Sequence, residues 1–221
     1  MADAASPRRR FNNPAIFICD LQEKFRNAIY GFDKVKPVIN NSVLTAQKVL
    51  RAAHALQIPI YVTTQNRARL GTTVSELEPY LTTDLVRAHA DKTLFSMFVP
   101  AIADQLAQEP GEIVIVGIES HICVTQTALD AARAGHRVYV LADGVSSCNR
   151  EEVPVALDRL RAEDGVTVTT SEGWLYEAVG DAGVPEFKSV IGIVKDTSAD
   201  TRAVLQALAP APAPAPGVGK I

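Results

Sequence analysis

The first part of the chain alternates apolar runs with a helical apolar face, which is the pattern of a β-α-β unit. The run AIFIC at residues 15–19 is continuously apolar and ends at Asp20, so it predicts a buried strand that opens onto a loop. Between residues 36 and 57 apolar positions recur every three or four residues, and Pro37 suits the first turn of such a helix. IPIYVTT at 58–64 predicts the second strand.

The rest of the chain continues this alternation. EIVIVG at 112–117 is the most hydrophobic run and predicts a central strand, and the helix after it, 120–135, ends at a glycine. The stretch 68–97 is less regular, and a short strand is expected near 85–88. Further helices are predicted at 100–108, 151–163 and 174–179, and further strands at 136–143 and 166–170. We therefore expect an α/β protein with a three-layer α/β/α Rossmann-like fold, a mostly parallel, about six-stranded central sheet, and a site at the carboxyl ends of the strands.

Length and composition predict one globular domain with two flanking segments. A chain of 221 residues fits a single core, and its 47% hydrophobic content can fill that core. We assign residues 13–208 to the domain and residues 1–12 to a flexible N-terminus. Residues 209–221 are expected to form a disordered tail, because a Pro-Ala repeat neither forms a helix nor packs a core.

The net charge and the cysteine content limit which classes of partner and which cellular compartment we expect. The formal net charge of -3 gives no general attraction to phosphate backbones or anionic lipids, so no nucleic acid and no membrane is expected as a partner. Three cysteines are too few, and odd in number, for a secreted disulfide framework. We expect a cytoplasmic location, with a mitochondrial address as the alternative because the chain opens with the Arg-rich MADAASPRRR.

Three residues combine into a candidate nucleophilic site. Asp20 ends the first strand, Lys92 lies in ADKTLF, and Cys123 begins the helix after the central strand. Each residue type alone is more often structural, as a cap, a surface charge or an inert buried thiol. Cys123 differs from Cys19 and Cys148 because the unpaired N–H groups at the start of a helix favour a thiolate.

Motifs along nearly the whole domain resemble one known family. They are FICDLQEKF at 17–25, PIYVTTQN at 59–66, LGTTVSEL at 70–77, KTLFSMF at 92–98, GIESHICVTQTALD at 117–130 and TSEG at 170–173. In their order and spacing they resemble the isochorismatase-like cysteine hydrolase superfamily, most closely its isochorismatase domain-containing proteins. The resemblance implies a catalytic triad of Asp20, Lys92 and Cys123. Cys123 would attack an electrophilic carbon as a thiolate, Asp20 would transfer protons, and Lys92 would balance the charge.

The same resemblance implies an unusual backbone just before the turn of the nucleophile. A cis peptide bond is expected between Ile118 and Glu119, neither of which is proline. Its expected role is to aim the backbone N–H groups of Glu119 and Cys123 at an oxyanion, so that the two groups form an oxyanion hole.

The sequence lacks the metal ligands that some relatives carry. Nicotinamidases of the superfamily bind zinc through an Asp and two His after the second strand, whereas this chain has TTQNRARLG there. We therefore predict no metal and no other cofactor. Of the four histidines, His54, His89 and His136 are expected to be structural. His121 is expected either to border the substrate pocket or to serve packing.

Four further residues near the motifs are candidates for the substrate pocket. Phe25, Phe95 and Phe98 would form an apolar wall, and Gln65 would orient a small planar or short-chain amide. Filling of the core explains the same phenylalanines equally well.

The favoured function is hydrolysis of a carbon–nitrogen bond in a small amide through a thioester at Cys123. Two alternatives stay open: a non-catalytic binding or scaffold protein that keeps the fold, and isochorismate-type vinyl ether hydrolysis through Asp20. Of the two hydrolytic functions, only vinyl ether hydrolysis predicts that activity persists when Cys123 is replaced.

The expected partners are a small-molecule substrate and copies of the same chain, as a dimer or tetramer. Trp174, Tyr176 and Phe187 would supply an apolar patch for that assembly unless they pack in the core.

Overall fold

The computed structural model describes residues 11–32, 42–107 and 109–208, and six strands within these ranges form one sheet. The strands are β1 (Ala15–Cys19), β2 (Ile60–Gln65), β3 (Val86–Lys92), β4 (Glu112–Ile118), β5 (Arg137–Ser146) and β6 (Val166–Thr169). The helices are α1 (Ser42–Leu56), α2 (Arg67–Leu70), α3 (Glu78–Leu81), α4 (Pro100–Ala103), α5 (Thr125–Arg133), α6 (Glu152–Arg161), α7 (Ser171–Val179), α8 (Phe187–Asp196) and α9 (Ser198–Leu208). Most of the expected N-terminal segment and the whole Pro-Ala tail lie outside the described residues.

The order of the strands explains where a site can form. It is β3-β2-β1-β4-β5-β6, and each neighbouring pair is parallel. This confirms the expected Rossmann-like sheet. The chain runs outward from β1 to β3 and then returns to place β4 on the other side of β1. The carboxyl ends of β1 and β4 therefore meet at the switch point where open α/β sheets bind their ligands.

Alternate residues of β1 belong to two separate hydrophobic cores. Ile16 and Ile18 pack in the core that α1, α7 and α8 cover. Phe17 and Cys19 pack in the core that α5 and α6 cover. Burial on both faces explains why this strand is continuously apolar in the sequence. It also fixes the carboxyl end of β1, and with it Asp20.

The edge strand β3 is longer than the sequence predicts. It runs to Lys92, beyond the short strand expected near 85–88. Its exposed residues Arg87, His89 and Asp91 alternate with half-buried ones, because a strand at the edge of the sheet packs on one face. The extension carries Lys92 to the carboxyl edge of the sheet.

The helices differ from expectation mainly at their ends. Helix α4 closes at Ala103 and the chain continues to Leu106 in tight turns, whereas the sequence predicts a helix to Gln108, which lies outside the described residues. The expected start of α1 around Pro37 also lies outside them. Trp174 is fully buried in the core under α1, which decides between the two expected places of this residue in favour of core packing. In the described ranges, no helix combines the length and the apolar character that a membrane crossing requires.

A glycine in β4 allows the close approach of β1 at the site. Gly117 has φ of +126°, and a Cβ atom there would lie 2.0 Å from the carbonyl oxygen of Cys19. We expect Gly117→Ala to lower the free energy of unfolding by about 2 kcal/mol, because the backbone conformation and the contact both oppose a side chain. Urea unfolding of both proteins measures this difference.

Gly192→Ala is the matched control for this substitution. Gly192 lies in α8, and a Cβ atom there meets nothing within 4 Å. In a helix, alanine is favoured over glycine by up to about 1 kcal/mol, so the control should be at least as stable as the wild type. Equal stabilities of the two variants would contradict the steric role of Gly117.

Candidate active site

Asp20 follows β1, and its carboxylate accepts hydrogen bonds from the side chains of Cys19, Thr63 and Lys92. The residue is 1% exposed and has φ of +50°. Its Oδ1 accepts a hydrogen bond from Oγ1 of Thr63 at 2.8 Å, and its Oδ2 accepts one from Nζ of Lys92 at 2.8 Å. A positive φ is uncommon for a residue other than glycine, and such positions concentrate at functional sites. Both carboxylate oxygens are therefore fixed in direction.

Lys92, at the end of β3, has its ammonium group enclosed by acceptors. The residue is 4% exposed. Nζ donates to four oxygen atoms: Oδ2 of Asp20 at 2.8 Å, Oε1 of Gln65 at 2.7 Å, the carbonyl of Leu94 at 3.2 Å and the carbonyl of Phe95 at 3.0 Å. An ammonium group has three protons, so these contacts use its full donor capacity. Lys92 is thus a fixed positive charge within the protein.

Burial and neighbouring groups shift two pKa values at the site. Burial by itself disfavours the ammonium of Lys92, but the acidic groups of Cys19, Asp20 and Cys123 outweigh burial and raise the pKa of Lys92. The pKa of Cys19 is raised well above its usual value, first by burial and then by a hydrogen bond to Cys123. Lys92 is therefore charged and Cys19 is a neutral thiol at neutral pH.

Cys123 lies in a π-helical turn, Ser120–Val124, that follows β4. The N–H of Val124 donates to the carbonyl of Glu119 at 3.1 Å, which makes the wide turn. Such turns are rare and often occur at functional sites. The peptide bond between Ile118 and Glu119 is cis, as expected. Cys123 is 7% exposed, so the residue is nearly enclosed but not completely shut off from solvent.

Thr127 joins the turn of Cys123 to the loop that holds Lys92. Its Oγ1 donates to the carbonyl of Cys123 at 2.6 Å and accepts from the N–H of Met97 at 2.9 Å. The loop after β3 and the turn of Cys123 are therefore braced through one buried hydroxyl. The structure thus brings Asp20, Lys92 and Cys123 together from the ends of three strands.

Two of the expected pocket residues instead surround Lys92. Gln65 accepts from Lys92 through Oε1 and donates through Nε2 to the carbonyl of Thr93 at 2.9 Å. Each of its two polar atoms thus has a partner at the site, and Gln65 helps to position Lys92. Phe95 contributes its carbonyl to Lys92, and the residue is 55% exposed. We refer to Leu94 and Phe95, two exposed apolar residues whose carbonyls contact Lys92, as the apolar rim.

Phe98 and Phe25 have packing positions. The ring of Phe98 lies 5.9 Å from that of Phe17 and 6.0 Å from that of His136, which precedes β5. Phe98 therefore packs toward the amino ends of the strands, in agreement with the alternative that it fills the core. Phe25 is half-buried and packs against the core under α1.

Glu119, His121 and Cys148 form a second cluster, beyond the triad. Nδ1 of His121 lies 2.9 Å from Oγ of Ser147. The N–H of Cys148 donates to Oε2 of Glu119 at 2.7 Å, and a further hydrogen bond to Glu119 raises the pKa of the Cys148 thiol. His121 thus has a definite polar partner at the carboxyl edge of the sheet.

The side chains of the turn after β2 cannot bind zinc in the way that those of nicotinamidases do. This turn presents Gln65, Asn66 and Arg67, and the amide and guanidinium groups of these residues are not zinc ligands. Gln65 is in addition committed to Lys92. We assign no step of the chemistry to a metal at this turn.

Sequence reasoning missed the buried polar residues that hold the site. Thr63 orients Asp20, and Thr127 braces Cys123. Gln22 is fully buried and ties the loop after β1 to the end of β2, accepting from the N–H of Gln65 at 2.7 Å. Only Thr63 had a signal in the sequence, as a polar residue inside an apolar strand; Gln22 lies in a loop and Thr127 in helix α5, where polar residues are common.

Comparisons with known proteins agree with this architecture. The family model described as the isochorismatase domain matches residues 14–173. Isochorismatase domain-containing protein 2 of Xenopus laevis is 38% identical over 188 residues, which cover 84% of this chain and 85% of that protein.

Two solved structures are similar along most of the chain. The MAR1 ribonuclease from Caenorhabditis elegans superposes with a TM-score of 0.72 at 35% identity, covering 83% of this chain and 90% of that chain. The YcaC gene product of Escherichia coli, described as an octameric hydrolase of unknown specificity, shares the fold with a TM-score of 0.69 at 20% identity, covering 88% and 93% of the two chains. With a matching domain model and relatives that align along most of its length, the chain belongs to the isochorismatase domain family and has the fold of isochorismatase-like hydrolases.

Proposed function

We propose that this protein is a cysteine hydrolase that cleaves the carbon–nitrogen bond of a small amide through an Asp20-Lys92-Cys123 triad. The observation that carries the proposal is the buried ion pair of Asp20 and Lys92, at 2.8 Å, beside a nearly enclosed thiol. A buried pair is costly to desolvate and is weak support for stability alone. Its position at the switch point of the sheet favours a chemical role.

In the proposed reaction, Asp20 accepts the thiol proton of Cys123, and the resulting thiolate attacks the carbonyl carbon of the amide. Lys92 offsets the negative charge as it moves from Asp20 to the sulfur. The N–H groups of Glu119 and Cys123 stabilise the oxyanion of the tetrahedral intermediate. They belong to the first turn of a helical segment, where N–H groups lack partners within the helix.

Asp20 then returns the proton to the leaving nitrogen, so that the carbon–nitrogen bond breaks and the acyl group stays on Cys123 as a thioester. Asp20 next deprotonates a water molecule that attacks the thioester, and the carboxylic acid leaves as Cys123 recovers its proton. No step needs a metal or an organic cofactor. The apolar rim of Leu94 and Phe95 supports a small substrate with an apolar part.

Oligomer formation is part of the proposal. Leu94 and Phe95 are 54% and 55% exposed, which is unusual for adjacent large apolar side chains. The E. coli relative is described as octameric. We propose that this chain forms a homo-oligomer that covers the rim.

The name of the C. elegans relative favours ribonucleolytic cleavage as a second candidate function. A phosphodiester would need free cationic donors at the site. Lys92 has no free N–H donor for a phosphate, because four oxygen atoms already surround its Nζ. The net charge of -3 also gives no general attraction to RNA. These observations favour amide hydrolysis, and a short RNA is included in the substrate screen because of the name of this relative.

Alkylation of the three cysteines tests the nucleophile without a known substrate. At neutral pH we expect iodoacetamide to modify Cys123 at least about tenfold faster than Cys19, because Cys19 is enclosed and its pKa is raised. Mass spectrometry of proteolytic peptides measures each rate. Cys148 is the internal reference for an exposed thiol. If Cys123 reacts no faster than Cys19, the binding-protein alternative replaces the proposed function.

A further inference from the structure

A group of metal-ligating side chains lies at the carboxyl edge of β4 and β5. Glu119 offers a carboxylate oxygen, His121 a ring nitrogen and Cys148 a sulfur, and these three atoms all lie within 4.8 Å of one another. The group is separate from the triad, because Glu119 contributes its side chain here and only its backbone to the proposed oxyanion hole. Glu119 and His121 are half-buried, and Cys148 is exposed.

The ligand side chains are held by partners outside the group. The contact of 2.9 Å between Nδ1 of His121 and Oγ of Ser147 fixes the imidazole ring, as second partners do in metal centres. Ser147 is in turn fully buried, and its carbonyl accepts from the N–H of Tyr30 at 3.0 Å. Glu119 is oriented by the N–H of Cys148 at 2.7 Å. Two of the three side chains are therefore positioned before any cation binds.

We propose that Glu119, His121 and Cys148 bind a divalent cation of the zinc class. One thiolate, one imidazole and one carboxylate suit a borderline-soft ion, whereas magnesium and calcium require sets of oxygen ligands. Zinc–sulfur and zinc–nitrogen bonds of about 2.3 and 2.0 Å require the ligand atoms to close by about 1 Å. Rotation of the exposed Cys148 side chain supplies this movement. Three protein ligands leave a fourth position for water.

Binding exchanges one proton for the cation. Cys148 binds the cation as a thiolate, so its thiol proton is released to solvent. The cation then joins the loop after β5 to Glu119, the residue that opens the turn of Cys123. We infer that it braces the proposed oxyanion hole from outside the triad.

Cobalt binding to the tag-free, metal-free protein tests the site. We expect one Co²⁺ per chain with a thiolate-to-cobalt charge-transfer absorption, and displacement by Zn²⁺. Cys148→Ser should abolish this absorption, and His121→Asn should weaken Zn²⁺ binding by about 10- to 100-fold. Cys148 is exposed, so its variant should fold, and circular dichroism checks this.

Cys123→Ala is the matched cysteine control. It should keep both the absorption and the Zn²⁺ affinity of the wild type, because Cys123 is not a ligand. Absorption that is lost in Cys123→Ala and kept in Cys148→Ser would place the cation at the nucleophile and overturn the proposal. Equal affinities in all variants, or no charge-transfer absorption in the wild type, would overturn it as well. None of these measurements needs turnover, so the result is independent of the proposed amide hydrolysis.

Discussion

Cys123→Ala is expected to lower kcat/KM for the best amide substrate by a factor of about 10³ or more, because no thioester can form without the sulfur. The fold should persist, since the substitution removes one atom from a side chain at the surface end of a core. The measurement is the steady-state rate of amine or ammonia release, with the amide that a small panel identifies. Vinyl ether hydrolysis through Asp20 predicts instead that activity survives in Cys123→Ala.

Cys19→Ala is the control that separates nucleophilic attack from the general loss of a thiol. Cys19 belongs to the same core as Cys123 but is fully buried and is a neutral thiol at neutral pH. Its removal should lower kcat/KM by less than about tenfold, since packing changes but no bond to substrate is lost. A Cys19→Ala variant as inactive as Cys123→Ala would argue that the thiol cluster, rather than one nucleophile, is required.

The positions of Asp20 and Cys123 could be predicted because they follow strands with strong hydrophobic signals. β1 and β4 are buried on both faces, so each is a nearly continuous apolar run whose end marks the edge of the sheet. Asp20 follows β1 directly, and Cys123 lies in the turn that follows β4. Parallel strands then place both residues at the same edge. The alternation of strands and helices alone predicts that Asp20 and Cys123 lie close together. The family resemblance adds the roles that we expect of them.

The surroundings of Lys92 could not be predicted in the same way. β3 is an edge strand of small and polar residues, VRAHADK, so its hydrophobic pattern is weak and its end is hard to locate. The role of Gln65 depends on the pairing of β2 with β3, in which Gln65 lies opposite Lys92. A sequence shows an amide near a motif, but which group the amide contacts is decided by that register.

The Glu119-His121-Cys148 group could not be predicted from the sequence either, because Cys148 lies far along the chain from the other two members. Cys148 lies 29 residues from Glu119, and the two meet because β4 and β5 pair with a shift in register between Ile115 and Gly117. A register shift changes which residues meet beyond the ends of the strands. The spacing of these residues along the chain therefore does not indicate a shared site. The absence of a metal-binding motif from the sequence does not show whether they bind a metal.

Lys92→Met is expected to lower the free energy of unfolding by about 3–5 kcal/mol, because it leaves the buried Asp20 carboxylate without its counter-charge. For a domain of this size the loss corresponds to a fall in Tm of about 6–20 °C, measurable by calorimetry. Lys188→Met is the matched control: Lys188 is exposed in α8, and its replacement should change stability by no more than about 0.5 kcal/mol.

The double variant Lys92→Met/Asp20→Asn decides whether the unpaired charge is the cause of this loss. Asparagine tolerates the φ of +50° at position 20 and keeps an acceptor for Thr63, so the double variant removes the charge with little other change. It should regain about 1–3 kcal/mol relative to Lys92→Met, since the stranded carboxylate is gone. A double variant as unstable as Lys92→Met would mean that Lys92 stabilises the site through its contacts with Gln65, Leu94 and Phe95 and that its charge is secondary. In the proposed reaction the charge is primary, because the same ammonium that compensates Asp20 in the resting protein must compensate the Cys123 thiolate once the proton has moved.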